Sequence, residues 1–412
     1  MHTVRTPREG AMTTATLEFD PFAEDFFTDP HDTYRRMRDE APVYYSERYD
    51  FYALTRHKDV AAAFKDFDTY SSAYGVDLGQ VRTGVVAEHG GIIAMDPPAH
   101  RRMRSLLNKV FTPRAIQAQR SLVTGLIERH LNAVDPDGFD FVQDFSALFP
   151  VEVVATMQGV PEDDHQQVRL WIDELLHRED GAVDMTEAGV NAGVEMAVYY
   201  YRLTKQRRNA LGDDLLSKLI LSEIEGDDGK MRPLTNREIT EFAFLLGGAG
   251  AETVAKLLGN AVVVFARNPD QWQKLLDDRS KVPQAVEELL RYEAPAQYNV
   301  RRSLREVTLH GVTIPAGKPV FLVGGSANRD PEAWTDPDRF DIDRDRAEAQ
   351  NLGLGYGIHS CLGAALARME SVIALEKLLD FMPRYEVDWS RCKRVNMQNV
   401  AGWSNVPVRV VR

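Results

Sequence analysis

Cys361 stands in the segment LGYGIHSCLG, residues 354 to 363, where Gly355, Gly357 and Gly363 frame one histidine, His359, and the thiol. The apolar period that follows predicts a helix from about Leu362 to Phe381, stopped at Pro383, so the thiol is delivered to a helix start. There the helix dipole and free backbone N–H groups favour thiolate, the form that acts as nucleophile or metal ligand. Glycine at such positions lets backbone pass close to a flat, bulky group without a Cβ clash. A lone cysteine beside a tight turn is ordinarily an inert core residue. Three glycines, a histidine and a cysteine at these five positions arise by chance in only about one sequence in 10⁵ of this length and composition, which favours the chemical reading. Cys392, between Arg391 and Lys393, has no such frame and reads as an incidental thiol.

Three further sets of residues carry chemistry. LLGGAGAETV, residues 245 to 254, places Gly247, Gly248 and Gly250 inside an expected helix, where each costs about 1 kcal/mol relative to alanine. That cost is offset either by a close helix crossing or by a local opening beside a ligand, where Glu252 and Thr253 relay protons. In DPPAHRRMR, His100 and Arg104 are four apart on one helix face, which suits a shared anionic partner or a solvated basic surface. Glu288 and Arg291, three apart, are placed to pair; that spacing alone is a weak signal. His31, His57, His89, His130, His165, His177 and His310 form no metal-ligand spacing and read as surface or structural residues. No glycine-rich nucleotide or phosphate loop is present.

The elements that must position these residues are mostly helical. Thr235 with Glu238 three residues later is a capping box, and the next stop is Asn268-Pro269, which predicts a helix of about 33 residues, roughly 50 Å long. Residues 41 to 56 read as a hairpin, and DVAAAFKDF, DPPAHRRMRSLLNKVF, RAIQAQRSLVTGLIERHL and DDHQQVRLWIDELLHR read as helices. Residues 71 to 92 read as a long loop. A short helix through AVEELLRY precedes a strand pair, VTLHGVTIPAGKPVFLV, expected to turn at Pro315-Ala316-Gly317.

The chain has 412 residues, 44% hydrophobic and 27% charged, enough to bury a sizeable core. Its net charge of −13 argues against a general grip on nucleic acid, and two cysteines make no disulfide framework, so a cytoplasmic protein is expected. The N-terminus lacks the apolar core of a signal peptide, and no run approaches about 18 consecutive apolar residues, so no membrane association is expected. Residues 1–19 read as a flexible leader, with Met12 a second candidate start, and residues 20–412 as one domain.

Residues 354 to 363 resemble the haem-binding signature of the cytochrome P-450 family, Phe-Gly-x-Gly-x-His-x-Cys-x-Gly, with Leu354 in place of the phenylalanine. The resemblance runs from about Asp20 to Arg412 and implies a mainly α fold, a helical prism with a long central helix and a small β-rich lobe. It implies haem b with the Cys361 thiolate as axial ligand, propionates held by His100, Arg104, Arg301 and His359, and Arg302 as a neighbour able to trade roles with Arg301. Ala249-Gly250-Ala251-Glu252-Thr253 is similar to the family's oxygen-activation motif, so Ala249 and Gly250 border the haem, Thr253 hydrogen-bonds the bound oxygen species and Glu252 helps feed protons. Glu288, Arg291 and Arg339 resemble its buried structural network.

The implied reaction is monooxygenation of a lipophilic small molecule, with electrons from NAD(P)H through a ferredoxin and its reductase. Peroxide-using or redox-neutral enzymes of the same fold commonly depart from the acid-threonine pair that is intact here, and a haem-binding sensor or ligand store needs no such relay. By the same resemblance Leu245, Gly248, Ala249, Gln297, Tyr298, Asn299, Val300 and Trp403 fall where the family touches substrate. Gly248 and Ala249 suggest a roomy apolar site with Gln297 and Asn299 as polar groups; Trp403 and Tyr298 are the alternative, a narrow aromatic one. Residues 97 to 127 carry Arg101, Arg102, Arg104, Lys109, Arg114 and Arg120 and no acidic residue. Arg102 and Lys109 share a helix face nearly opposite His100 and Arg104, so an acidic ferredoxin is expected to dock near Arg101, Arg102 and Lys109.

Overall fold

The capping box read at Thr235 and Glu238 is formed in the computed structural model, which describes residues 17–88 and 90–411. The Glu238 N–H donates to the Thr235 hydroxyl at 3.2 Å, and the Thr235 N–H donates to the Glu238 carboxylate at 2.8 Å. From this start the central helix Asn236–Arg267 runs 32 residues and ends at Asn268, where Pro269 opens the next helix, Pro269–Asp277. Among the described residues it is the one helix long and apolar enough to cross a membrane, but 78% of its most apolar window is buried in the protein, as suits a core spine.

Two apolar cores meet along that spine. Its second half packs with helices Arg120–Ala133, Val282–Tyr292 and Ala364–Phe381 through Leu257, Ala261, Phe265, Leu289 and Leu375. Its first half packs with helices Ala99–Val110, Phe149–Gln158, His165–Leu176 and Glu187–Asn209 through Leu107, Val151, Ile172 and Tyr200. Sequence periodicity misses two of these helices. Phe149–Gln158 is buried on nearly every side, so no polar face marks a period, and Glu187–Asn209 carries Val190, Val194 and Val198 on its exposed face, which blurs the contrast.

The β-rich lobe is a five-stranded sheet ordered Val43–Ser46, Phe51–Leu54, Pro319–Leu322, Asn299–Ser303, Tyr70–Ser71. The expected hairpin is its edge, with Val43 opposite Leu54. The expected strand pair turns elsewhere: Val307–Leu309 pairs with Val312–Ile314 across His310 and Gly311, at φ 50° and 78°, the left-handed pair that a two-residue hairpin favours. Pro315–Gly317 instead carries the chain to Pro319–Leu322, which enters the main sheet between two other strands. The 71–92 segment contains a short helix, Leu78–Arg82, capped by Asp77, and a 3₁₀ turn at Gly91–Ala94. The packed chain begins before Asp20: Phe19, assigned to the leader by sequence, is buried against Phe26, Tyr34, Tyr44 and Phe51. Residues 1–16, including Met12, lie outside the described residues.

Candidate active site

The cysteine loop is a close backbone approach. Gly355 and Gly357 adopt φ of 69° and 72°, and a Cβ on Gly357 would sit 2.5 Å from the Phe64 carbonyl oxygen. The Cys361 N–H donates to the Leu354 carbonyl at 2.9 Å, and helix Ala364–Phe381 starts after Gly363. Cys361 is accessible although protein groups surround it, so the sulfur opens onto an internal space. Burial pushes its thiol up, and the Gly363 N–H, Arg104 and Arg368 pull against that without overcoming it. The backbone N–H at the helix start does favour thiolate, as expected, but burial outweighs it, and a cation at the sulfur would supply the remainder.

Beside the loop, positive and unpaired groups converge. The His100 and His359 rings lie 4.4 Å apart, and both His100 nitrogens and Nε2 of His359 are buried without a hydrogen-bond partner. Burial, then Arg104, lowers His100 to about 4; burial, then Arg301 and His100, lowers His359 to about 3. Burial also lowers Arg301 to about 10. The carboxylate within electrostatic reach of Arg301 and His100, Asp96, is bound to Ser71 and to the Ser72 N–H. Two guanidiniums and three orphaned imidazole nitrogens, with no carboxylate hydrogen-bonded among them, fit the carboxylates of a haem whose iron Cys361 would bind. Arg302 does not trade places with Arg301: strand alternation sends it to the other face, where it donates to the Val81 carbonyl and lies over Tyr74.

On the central helix, Ala249 is exposed and Thr253 partly so, although the turns that follow are buried, so this face also opens inward. The Thr253 hydroxyl donates to the Ala249 carbonyl at 3.0 Å in a helix that stays continuous. The three glycines divide between the two readings. A Cβ on Gly247 would lie 2.6 Å from the Tyr200 hydroxyl and one on Gly250 2.8 Å from Val154, so both serve helix crossings; Gly248 has nothing within 4 Å and faces open space. Glu252 is buried and its carboxylate lies 2.6 Å from Lys256 Nζ. Lys256, four residues on, is a partner that helix spacing alone would have revealed.

Leu245 reaches Gly91, beside the same open face. The 297–300 segment is turned elsewhere. Gln297 donates to the Ala294 carbonyl and accepts from Tyr34, Tyr298 donates to the Gln398 carbonyl, and Val300 is buried in the β-lobe core. Asn299 is half-buried on its strand, opposite Leu322, and it is Asn399 that donates to the Tyr298 carbonyl. Trp403 is buried against Gly259 with the Arg394 guanidinium 4.0 Å over its ring, so it is not brought to Gly248 and Ala249. Gln297, Tyr298 and Trp403 are thus engaged in packing contacts within the protein.

Glu288 and Arg291 form a buried two-pronged ion pair, both contacts at 2.8 Å. The third side chain is Arg344 and not Arg339. Arg344 Nε donates to Glu288 at 3.2 Å, whereas the Arg339 side chain is 63% exposed and contributes only its carbonyl. Arg339 and Arg344 are five positions apart in DPDRFDIDRDR, and nothing in the sequence ranks one above the other. The histidines read as structural sit in local bonds, His31 with Glu293, His130 with Glu152, His310 with Asp59, His57 and His165 with carbonyls; His177 lies 3.7 Å from Glu179, and His89 is outside the described residues.

A family model described as Cytochrome P450 matches residues 184–399. Cytochrome P450 123 of Mycobacterium tuberculosis is 41% identical over 96% of this chain and 97% of its own. The cytochrome P450 monooxygenase PikC of Streptomyces venezuelae is 34% identical over 98% and 97%. Among solved structures, a mutant of P450 EryK in complex with erythromycin B superposes with a TM-score of 0.85 at 34% identity, covering 93% of this chain and 96% of that one. With the haem signature, the orphaned cationic cluster and the acid-threonine pair on one fold, the chain belongs to the cytochrome P450 family and is a cytochrome P450 monooxygenase.

Proposed function

We propose that this monooxygenase hydroxylates or epoxidises a bulky, ring-containing lipophile. The observation that carries the reading is Gly248: nothing lies within 4 Å of where a side chain would begin, one residue before exposed Ala249 and four before Glu252. Side-chain volume is withheld where the open face meets the acid-threonine pair. Relatives fit that size class: the erythromycin C-12 hydroxylase of Saccharopolyspora erythraea is 36% identical over 85% of this chain, and CYP109E1 of Bacillus megaterium has been solved with corticosterone. With Gln297, Tyr298 and Val300 in the β-lobe core, recognition rests on shape and apolar contact.

In this reading Cys361 would hold the haem iron, and His100, Arg104, Arg301 and His359 would hold the propionates. Bound haem supplies the activation of dioxygen, with thiolate pushing electron density onto the iron. Glu252 would serve as the proton reserve, and the Thr253 hydroxyl, released from the Ala249 carbonyl, would hold a proton at the open face of the central helix. Electrons come from NAD(P)H through a ferredoxin and reductase, in the cytoplasm. Exposed Arg101 and Lys109 serve as docking cations; Arg102 is spent on Asp227. The test is a screen of ligand-induced Soret shifts with macrolides, steroids and small terpenes. Shifts by macrolides or steroids at micromolar levels support the reading; shifts confined to the small terpenes overturn it.

A further inference from the structure

Helix Glu187–Asn209 repeats a small residue followed by valine at intervals of four: Gly189-Val190, Gly193-Val194 and Ala197-Val198. The two glycines serve the interior. A Cβ on Gly189 would lie 2.8 Å from the Glu174 carbonyl oxygen and one on Gly193 3.1 Å from the Leu175 side chain, so helix His165–Leu176 crosses closely there. The valines point outward: Val190, Val194, Val198 and Tyr201 are 42 to 59% exposed. At 100° per residue these four fall within an arc of about 80°, and Glu187 and Lys205 continue the same stripe at its two ends, about 27 Å apart. Single exposed apolar side chains are ordinary, but four in line are not. Valine is also a poorer helix former than the alanine, glutamate or lysine that a purely solvated face would favour.

The stripe is complementary to its own reverse. Its centre lies at position 196, between Val194 and Val198, and Glu187 and Lys205 stand nine residues to either side. Both are exposed and neither enters an ion pair among the described residues; the Lys205 ammonium rests 5.8 Å from the centre of the Tyr201 ring. Laid antiparallel about a two-fold axis at that centre, two stripes set Val194 against Val198 twice, Val190 near Tyr201 twice and Glu187 against Lys205 twice. A parallel arrangement would set glutamate against glutamate and lysine against lysine. We propose that this face is a homodimer interface, in which helix Glu187–Asn209 pairs with the same helix of a second copy in the reverse direction. A lipid surface fits less well: an anionic membrane repels a chain of net charge −13, and the acidic end of the stripe finds no cation there. Pairing leaves the inner face as it is, with Met196 and Tyr200 against Gly247 of the central helix. A contact one helix wide sits at the low end of interface sizes, about 1,200 Å² or less in total, so the dimer forms at roughly tens of micromolar.

Sedimentation equilibrium of the holoenzyme from about 1 to 200 micromolar tests the interface. The wild type should pass from monomer to dimer across that range, and Val194→Glu/Val198→Glu should stay monomeric with the wild-type Soret spectrum. Glu187→Lys and Lys205→Glu should each weaken association by about fivefold, and the double exchange Glu187→Lys/Lys205→Glu should restore it. A wild type that remains monomeric throughout overturns the proposal, and so does a dimer that survives Val194→Glu/Val198→Glu. Association that the double exchange leaves weak overturns the antiparallel pairing, and these exposed charge variants report it even where the valine variant does not fold. Flotation with vesicles of equal phosphatidylcholine and phosphatidylglycerol is the second arm. Wild-type binding that Val194→Glu/Val198→Glu abolishes, with no dimer in solution, would assign the stripe to a membrane instead.

Discussion

His100 and His359 face each other at 4.4 Å with their rings inclined by 58°, and neither finds a partner for its inward nitrogen. A protein interior rarely leaves such groups unmet, and each costs about 1–3 kcal/mol when it does. With Arg104 and Arg301 beside them they make a receptor for carboxylates that the chain does not fill itself.

Removing one receptor group should loosen haem without changing what binds the iron. His100→Ala and Arg301→Ala should each speed haem transfer to apomyoglobin by about 10- to 100-fold, the equivalent of one charge-assisted hydrogen bond at 1.5–3 kcal/mol. Arg302→Ala, on the opposite face of the same strand, should release haem at the wild-type rate.

Arg344→Ala should destabilise the protein by about 3–5 kcal/mol, because it leaves part of the buried Glu288 charge uncompensated. Arg339→Ala should change stability by less than about 0.5 kcal/mol, since that side chain is exposed. Urea unfolding of the two variants checks the pair, and equal losses would return Arg339 to the network.

These assignments mark where the sequence was readable. Thr235 and Glu238, the glycines around Cys361, and His100 four residues before Arg104 are local patterns, and the structure realises them within a residue or two. Choices set by tertiary contact were not readable: which of two arginines reaches Glu288, or which glycine meets a neighbouring helix. The packing of Gln297, Tyr298 and Trp403 was hidden for the same reason, since Tyr34, the Gln398 carbonyl and Gly259 meet them only in the folded chain. Arg301 and Arg302 differ only by strand alternation, which becomes decisive once the strand's register is known.

The glycines of the central helix give a paired prediction. Gly248→Phe should fold, keep binding imidazole and lose binding of macrolides and steroids in Soret titrations, because its side chain enters open space. Gly247→Ala should instead cost about 1–3 kcal/mol of stability, since its Cβ would lie 2.6 Å from the Tyr200 hydroxyl.

The central claim is that Cys361 is the axial thiolate, and the spectrum of the reduced protein with carbon monoxide tests it most directly. The wild type and Cys392→Ser should show the red-shifted Soret band of thiolate-bound haem, and Cys361→Ser should lose it. A Cys361→Ser protein that keeps the band, or a wild type that never shows it, would contradict the account.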